Sequence, residues 1–390
     1  MRDSLPGVPG SVRVRLLPPD GSSILTPWQP VDPTRDHTAR IHLRDLRPAT
    51  RYSLTVEGRA PGANAPEASL EGSFVTLAPQ DADAPVRFAV ISCHDFPRRD
   101  DTTRGHRIYR SIADIAPAFL IHTGDIVYYD KPAPYARDAT LARYKWNRLF
   151  SLPYERDFYR NHAAWFIKDD HDTLRDDCWP GMRYGNLTWE EGLAIFREQV
   201  PVGPSPFRTF RHGRHLQIWL VEGREYRSAN DTPDGPDKTI WGPAQKQWLF
   251  RSMRSSDATF RILVSPTPLV GPDRPNKSDN HANAGFRHEG AEVRAFLASL
   301  GNAFVICGDR HWQYASRDTD TGLREYACGP GTDAHAGGFS EDWRTPAHRF
   351  LRIGGGFLTV EVTTADNQPR IIFRHHDVAG TVVFEDRPQG

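Results

Sequence analysis

The sequence predicts an α/β fold, built as a mixed sheet or two packed sheets with helices outside and preceded by a small all-β sandwich. Three observations carry this prediction. The first eighty residues alternate apolar and polar positions, the following residues alternate strand-length apolar runs with helical patterns, and the tail returns to alternating strands. A chain of 390 residues that is 38% hydrophobic is long enough for two domains, which we place at residues 1–80 and 81–390.

Composition excludes several classes of protein. Lysine plus arginine number 49 and aspartate plus glutamate also number 49, so the net charge indicates neither a nucleic-acid nor an anionic-membrane partner. No apolar stretch approaches the ~20 residues of a membrane span, and the start MRDSLPGVPG lacks the apolar core of a signal peptide. We therefore expect a cytoplasmic chain or one that has lost a leader. The cysteines show no CxxC spacing and predict no disulfide framework: Cys93, Cys178, Cys307 and Cys328.

The first domain is assigned from its alternating runs SVRVRLLP, ARIHL and RYSLTVEG, which have the period of half-buried antiparallel strands. The phrase LRDLRPATRYSLTVEG resembles the late strands of a fibronectin type III domain, whose tyrosine follows a Leu-x-Pro-x-Thr corner. The Pro-, Ala- and Asp-rich stretch APQDADAPVR is the expected linker.

The second domain is assigned from apolar runs that look like strands buried on both faces: VRFAVIS, AFLIH, AWFI, LQIWLV, FRILV and AFVIC. Helical patterns lie between them: GHRIYRSIADIA, TWEEGLAIFREQ, GPAQKQWLFRSM and HEGAEVRAFLASLG. Thr188 and Glu191 predict a capping box, and Gly301 predicts a helix end. FLTVEVT, PRIIFRHH and TVVFED predict the final strands.

Polar side chains follow four of the predicted strands. The segments are Cys93-His94-Asp95, Thr123-Gly124-Asp125, Lys168-Asp169-Asp170-His171-Asp172 and Gly308-Asp309-Arg310-His311. Sites in α/β folds form where the loops after the strands converge. Four such ends at one edge predict a single polynuclear metal site with shared carboxylates and imidazoles.

Each residue also has a simpler interpretation. Asp125 either binds a metal or closes a turn, and Tyr128 taken alone is a core or rim aromatic. Asp309 and His311 point to the same side of an extended segment, which suits two ligands or a hydrogen-bonded core pair. Cys93 in isolation is a small buried hydrophobe, and the other three cysteines are assigned a structural role.

The motifs SCHDF, HTGDIVYYD, KDDHDTLRDD, VSPTPLVGP and CGDRHW stand in this order between residues 86 and 315. Together they resemble the alkaline phosphatase D (PhoD-like) group of calcineurin-like metallophosphoesterases, relatives of the purple acid phosphatases. The resemblance implies the calcineurin-like metallophosphoesterase fold, with two packed mixed β-sheets flanked by helices. A preceding β domain also suits that group.

The resemblance implies an iron site and a second metal site. It makes Asp125 the carboxylate shared by the two metals, Tyr128 a phenolate ligand of ferric iron, and Cys93 a thiolate ligand of the same ion. Asp309 and His311 match the last two ligands, and Asp309 stands where relatives outside this group have histidine. More oxygen ligands make the second site harder, which favours calcium, manganese or magnesium over zinc.

The stretch KDDHDTLRDD carries the implied acid chemistry. Asp170 matches a ligand of the second metal, His171 the proton donor to the leaving group, and Asp172 the acid that orients it, while Asp169 is expected to brace the turn. The motif ends in Asp176-Asp177, where this group often has Asn-Asp. The extra acid either binds a further cation or faces solvent.

The function implied is a metal-dependent phosphodiesterase or alkaline phosphatase acting on a small or polymeric phosphoester. A metal-bound hydroxide would attack in line and His171 would act as general acid. Arg310 either offsets phosphate charge or forms a surface salt bridge, and Asn280 and His281 are candidate substrate contacts in the loop KSDNHANAGF.

Two other classes of function remain open from the residues. A non-haem iron oxidoreductase would leave the second carboxylate cluster without a role, and no compact facial triad stands out. A calcium-stabilised binding protein without catalysis is the other alternative, although no EF-hand spacing supports it. The resemblance implies a periplasmic or secreted protein, although the chain shows no twin-arginine leader.

Overall fold

The computed structural model describes residues 4–388. The strands are β1 (Ser11–Leu17), β2 (Ile24–Leu25), β3 (Gln29–Pro30), β4 (Arg51–Arg59), β5 (Ala68–Val75), β6 (Val86–Ile91), β7 (Phe119–His122), β8 (Ala163–Phe166), β9 (Arg183–Tyr184), β10 (Leu187–Thr188), β11 (Arg208–His212), β12 (Leu216–Leu220), β13 (Phe260–Ser265), β14 (Ala303–Cys307), β15 (Gln313–Arg317), β16 (Arg324–Ala327), β17 (His348–Arg352), β18 (Gly356–Ala365), β19 (Gln368–Asp377) and β20 (Val382–Asp386). The helices are α1 (Ile108–Ile115), α2 (Ala139–Phe150), α3 (Pro153–Tyr159), α4 (Trp189–Gln199), α5 (Gly242–Arg254) and α6 (Arg287–Ser299).

The amino-terminal region forms one antiparallel sheet in the order β2-β1-β4-β5, with β3 also paired to β1. Tyr52 at the start of β4 accepts a hydrogen bond from Arg47 N at 2.9 Å, the corner contact that the fibronectin-like motif predicts. A second sheet of a sandwich is not found among residues 4–80, and the stretch ARIHL is not a strand. Its apolar side chains Ile41 and Leu43 nevertheless pack on the core around Leu16. Irregular chain therefore covers the face where a second sheet was expected.

Two mixed sheets form the larger part of the protein and confirm the expected fold. Their orders are β20-β19-β18-β6-β7-β8 and β11-β12-β13-β14-β16-β15-β17. In β13 the side chains of Phe260, Ile262 and Val264 lie in the core between the sheets, whereas Leu263 faces outward toward α5 and α6. This alternation is the period-2 pleat, and it explains why the strand reads as continuously apolar when both faces are covered.

The helices lie outside the sheets. The predicted capping box at α4 is present, because Thr188 Oγ1 accepts from Glu191 N and the Glu191 side chain accepts from Thr188 N. Gly301, just beyond α6, has φ of 75°, as a helix-ending glycine requires. Among the described residues, none of the helices is long and apolar enough to cross a lipid bilayer.

The two sheets meet at the carboxyl ends of their parallel strands. β6, β7 and β8 run parallel in one sheet, and β13, β14 and β16 run parallel in the other. Asp309 N after β14 donates to Ser92 Oγ after β6 at 3.3 Å, which joins the two edges. The predicted convergence of strand ends is therefore observed.

Candidate metal centre

The backbone turns sharply where three of these strands end. Cys93, Asp125 and Asp309 have positive φ angles of 57°, 56° and 64°. Such conformations are costly for residues with side chains and concentrate at functional sites. Gly124 has φ of 106°, and a Cβ there would lie 2.6 Å from Asp169 Cβ. The turn after β7 therefore needs glycine to bring Asp125 against the loop that follows β8.

One group of mixed donors surrounds Asp125 Oδ2. Cys93 Sγ lies 3.5 Å from this oxygen and the Tyr128 hydroxyl lies 3.0 Å from it. The same hydroxyl is 3.4 Å from His311 Nε2. Ligand atoms of Cys93, Asp125 and His311 all lie within 4.8 Å of one another. We call these four residues the mixed-donor cluster; thiol, phenol, imidazole and carboxylate donors together suit a transition metal.

A second group consists of carboxylates alone. Oxygens of Asp125, Asp169 and Asp309 lie within 4.8 Å of one another. Asp125 Oδ1 and Asp169 Oδ2 are buried without a hydrogen bond, and Asp309 Oδ2 has an ion pair with Arg310 Nη1 at 2.9 Å but no hydrogen bond of suitable geometry. Buried carboxylate oxygens without partners are costly unless a cation binds them. This carboxylate cluster therefore fits a hard divalent cation, and it includes Asp169, which was expected only to brace the turn.

Asp170 lies between the centre and the outer acids. Its Oδ1 accepts from His171 N at 3.0 Å and its Oδ2 accepts from Asp177 N at 2.6 Å. Its oxygens also come within 4.8 Å of ligand atoms of Asp125 and His171, and separately of Asp176 and Asp177. Asp177 forms an ion pair with Lys277 at 2.9 Å, whereas Asp176 is exposed.

His171 is oriented by a different acid from the one that the motif implied. Its Nδ1 lies 2.6 Å from Asp130 Oδ1. Asp172 instead accepts from the backbone amides of Ile126 at 3.1 Å and Asp169 at 2.7 Å, so it holds the loop rather than the imidazole. Burial alone would lower the pKa of His171, but the surrounding carboxylates, Asp170 foremost, outweigh it and raise that pKa well above its ordinary value.

Arg310 is buried and paired with three acids through its two terminal nitrogens, in contrast to both expectations for it. Its Nη2 lies 2.8 Å from Asp273 Oδ2 and 3.0 Å from Asp279 Oδ2, and its Nη1 pairs with Asp309. Arg310 does form salt bridges, as one of the two expectations held, but they are buried and not on the surface. The guanidinium neutralises carboxylates beside the centre rather than facing a substrate phosphate.

Asn280 and His281 are also buried, so they do not line a substrate-facing rim. Asn280 Nδ2 donates to Asp273 Oδ2 at 2.8 Å and to Asp279 Oδ1 at 3.1 Å. His281 Nε2 lies 2.9 Å from Glu289 Oε2 of α6. Both side chains anchor their loop to the protein interior, which explains their burial.

Two residues that the motifs did not indicate contact the centre. Arg224, after β12, is fully buried, and its Nε lies 2.6 Å from Asp169 Oδ1. Burial opposes ionisation of Asp170, but Arg224 overcomes it and keeps the pKa of that carboxyl below its usual range. His335, in a turn after β16, has its ring centroid 4.0 Å from that of His311 and 5.3 Å from that of Tyr128.

Burial makes a cation at the mixed-donor cluster favourable. It raises the pKa of the Cys93 thiol, the Asp125 carboxyl and the Tyr128 phenol, because their charged forms lose solvation. A bound multivalent cation would stabilise those charged forms, since ligands must be deprotonated to coordinate it. The donor set and the unpaired oxygens therefore fit a centre with two metal positions that share Asp125.

Comparisons with known proteins agree with this geometry. The profile of the PhoD-like phosphatase family matches residues 88–346. Alkaline phosphatase D of Bacillus subtilis (strain 168) is 23% identical over 346 residues, which cover 73% of this chain and 55% of the relative. The chain thus spans little more than half the length of that curated relative.

Solved structures show the same fold. A structure of PhoD covers 98% of this chain and 83% of its own, with 17% identity and a TM-score of 0.78. A purple acid phosphatase from yellow lupin (Lupinus luteus) seeds covers 97% of this chain and 69% of its own, with 11% identity and a TM-score of 0.67. At these identities the likeness is one of fold, and it confirms the calcineurin-like architecture.

Proposed function

The chain belongs to the PhoD-like phosphatase family, and from that premise we propose that it is a metal-dependent hydrolase of phosphoric esters. The observation that carries the proposal is the position of Asp125, whose carboxylate belongs to both the mixed-donor cluster and the carboxylate cluster. Its Oδ2 lies beside Tyr128 and its Oδ1 is buried without a hydrogen bond. His171 lies beside both, as a proton donor to a leaving group would need to.

We assign ferric iron to the mixed-donor cluster of Cys93, Asp125, Tyr128 and His311. To the carboxylate cluster, with Asp170 beside it, we assign calcium, or alternatively manganese or magnesium. All-oxygen donors favour hard cations, and thiolate and imidazole donors favour transition metals. Metals bound there would supply Lewis-acid charge for the phosphoryl oxygens and lower the pKa of a nucleophilic water.

His171 is assigned as the general acid. Asp130 accepts a hydrogen bond from Nδ1, which fixes the buried ring and leaves Nε2 for proton transfer. The nearest acid to Nε2 is Asp176 Oδ1 at 3.7 Å, and the side chain of Asp176 is 61% exposed. Nε2 therefore has no close partner like that of Nδ1, and a leaving alkoxide could take a proton from it. Such general acid catalysis contributes about 10² to 10⁴ in rate.

The proposal is tested on purified protein by metal analysis, a visible spectrum, and assays of bis-p-nitrophenyl phosphate and p-nitrophenyl phosphate with and without chelator. We expect metal-dependent hydrolysis and a visible tyrosinate-iron band. The band should disappear in Tyr128→Phe and persist in Tyr129→Phe, because the neighbouring Tyr129 hydroxyl accepts from Trp146 Nε1 instead.

The outcomes separate the three classes of function. A metal-replete protein that cleaves neither ester would contradict the hydrolase assignment and leave a calcium-stabilised binding protein or an iron oxidoreductase. A colourless protein without iron that still hydrolyses esters would contradict only the assignment of iron to Cys93 and Tyr128.

A further inference from the structure

We propose that His335 is a positioning residue for the mixed-donor cluster: it holds the rings of Tyr128 and His311 and the backbone of Cys93 in the geometry that binds metal. The inference rests on the proposed function, because it assumes a metal at that cluster. It goes beyond that function by assigning a role to the segment after β16, which lies outside the motifs that identify the family resemblance.

The segment that carries His335 is tied to two of the strand ends. Pro330 forms a parallel bridge with Ser92, and Gly331 N donates to the carbonyl of Cys93 at 3.2 Å. Further along, Gly337 N donates to the carbonyl of His311 at 2.9 Å. The chain from residue 330 to residue 337 therefore spans the gap between β6 and β14 and places His335 between their ends.

The imidazole of His335 is fixed by one hydrogen bond and two ring contacts. Its Nδ1 lies 3.2 Å from the carbonyl oxygen of Cys93. A carbonyl has no proton to give, so Nδ1 carries the hydrogen and donates it. Its ring lies at 45° to that of His311 and at 72° to that of Tyr128. Only 3% of the residue is exposed, so the ring cannot leave this position without opening the loop.

His335 acts through these neighbours rather than as a ligand. Among the described residues, the groups whose ligand atoms come within 4.8 Å of one another include Cys93, Asp125 and His311 but not His335. Its Nδ1 is occupied by the Cys93 carbonyl. Residues that orient metal ligands in this way, without binding the metal, typically change metal affinity by about 10- to 100-fold when they are replaced.

The test compares the metal-loaded wild-type protein with His335→Ala, which removes both the ring and the donor, and His335→Phe, which keeps a ring. The matched control is His375→Ala. His375 is also buried, and its Nε2 lies 3.1 Å from the carbonyl of Ala327, but its ring packs on Phe350 instead of a candidate ligand. Metal retention is measured by dialysis against a chelator series, and the visible band reports the environment of Tyr128.

We expect His335→Ala to lose metal at about 10- to 100-fold lower chelator concentration and to shift the band. His335→Phe should keep the band closer to its wild-type position and retain metal to an intermediate degree. His375→Ala should match the wild type in both measurements. Should His335→Ala fail to fold, His335→Phe decides: weaker retention than in His375→Ala supports the role, and equal retention overturns it.

Two contrary results have different meanings. If His335→Ala retains metal and keeps the band as well as His375→Ala does, then His335 has no positioning role, and the hydrolase proposal stands. If the wild-type protein binds no metal at all, then the metal centre itself is overturned, and the role of His335 with it.

Discussion

His171 lies near two carboxylates that differ strongly in exposure. The Asp130 side chain is 11% exposed and accepts from Nδ1 at 2.6 Å, whereas the Asp176 side chain is 61% exposed and lies 3.7 Å from Nε2. A shielded, short contact orients a ring, while a distant contact in water is screened. The two nitrogens of the buried imidazole therefore have different environments: Nδ1 is fixed by Asp130, and Nε2, with only the longer contact to Asp176, is left for proton transfer.

Asp130→Asn tests this division of roles. The amide gives His171 a weaker, neutral partner, so protonation of the leaving group should become less effective. We expect kcat to fall by about 10²-fold for an alkyl phosphodiester and much less for a p-nitrophenyl ester, since p-nitrophenolate leaves without a proton. The measurement is the ratio of kcat values for the two substrates.

Asp172→Asn is the matched control for that measurement. An amide oxygen can replace only one of the two acceptor oxygens that bind Ile126 N and Asp169 N, so we expect a loss of about 1–3 kcal/mol in unfolding free energy. The substrate ratio should stay close to the wild-type value. An unchanged ratio in Asp130→Asn together with a changed one in Asp172→Asn would restore Asp172 as the orienting acid.

Arg224 neutralises two acids of the centre from a fully buried position, so its loss should be severe. It pairs with Asp169 at 2.6 Å and lies 3.7 Å from Asp170. Breaking a buried pair by removing one partner costs about 3–5 kcal/mol, because the remaining charge is uncompensated. We expect Arg224→Met to lower the unfolding free energy of chelated protein by that amount in a guanidinium titration.

The control for Arg224 is Arg197→Met. Arg197 pairs with Glu225 at 2.8 Å, but its side chain is 42% exposed, and exposed pairs contribute at most about 1 kcal/mol. Similar losses in the two variants would show that Arg224 has no special electrostatic role at Asp169 and Asp170.

At the scale of elements, the sequence predicts strands and helices where apolar side chains alone fill the core. The sequence does not indicate β16, because Glu325 interrupts its apolar pattern, yet this glutamate is buried. Its oxygens accept from the amides of Leu269, Val270 and Gly271 at 2.7, 3.0 and 2.8 Å. These partners come from a distant loop, so no local pattern in the strand indicates them. For the same reason the sequence does not indicate the segment after β16 that carries His335.

Helix α2 is not indicated by the sequence for the same reason: buried charged residues interrupt its apolar pattern. Its buried face includes Lys145 and Arg148, which break the apolar period that predicts an amphipathic helix. Lys145 Nζ donates to the carbonyls of Tyr128 and Lys131, and Arg148 Nη1 donates to that of Ala133 at 2.7 Å. The buried cations of α2 thus hydrogen-bond to the loop that begins at Tyr128, and they hold that loop in place beside the metal centre.

Strand β19 buries a histidine that should make stability depend on pH. Burial lowers the pKa of His375 to about 3, from about 6.5 in an unfolded chain. Between these pH values the unfolded chain binds a proton at His375 and the folded chain does not. The contribution of the buried, neutral His375 to the free energy of unfolding is therefore complete above about pH 6.5 and is lost as pH falls toward about 3. We expect His375→Gln, whose amide can still donate to the Ala327 carbonyl, to reduce the slope of unfolding free energy between pH 4 and 6 by up to about 1.4 kcal/mol per unit.

The control for the slope is His288→Gln, because His288 is exposed at the start of α6. It reports what a histidine-to-glutamine replacement does at a solvent-exposed position. Parallel pH profiles for wild type and His375→Gln would contradict the assignment of a buried, neutral His375.

At the scale of the whole molecule, convergence of the strand ends could be predicted because parallel strands share a direction, and their loops therefore meet. The contact between the amino-terminal region and the helices could not be predicted, because it depends on polar groups at single positions. Asp36 Oδ2 accepts from Asn147 Nδ2 and Gln199 Nε2, both at 2.8 Å. We retain the division into residues 1–80 and 81–390 as a proposal.

Arg40 makes three hydrogen bonds across this contact. Its guanidinium donates to the carbonyls of Arg197, Val200 and Val202 at 2.6, 3.2 and 2.7 Å, around the carboxyl end of α4. Of these carbonyls, that of Arg197 lies in the last turn of α4, where the helix leaves carbonyls without amide partners, and a cation there interacts favourably with the helix dipole.

Replacing Arg40 should weaken the coupling between the two regions. Hydrogen bonds from a charged donor are worth about 1.5–3 kcal/mol, so Arg40→Ala should lower stability by about that amount. If residues 1–80 fold as a unit, calorimetry should also show their transition separating from that of the remaining chain. Arg47→Ala is the control, because Arg47 pairs with Asp20 inside the same sheet region at 3.0 Å, with both side chains about half exposed. A single transition at the wild-type temperature in Arg40→Ala would mean that the contact contributes nothing to cooperativity and would count against the proposed division.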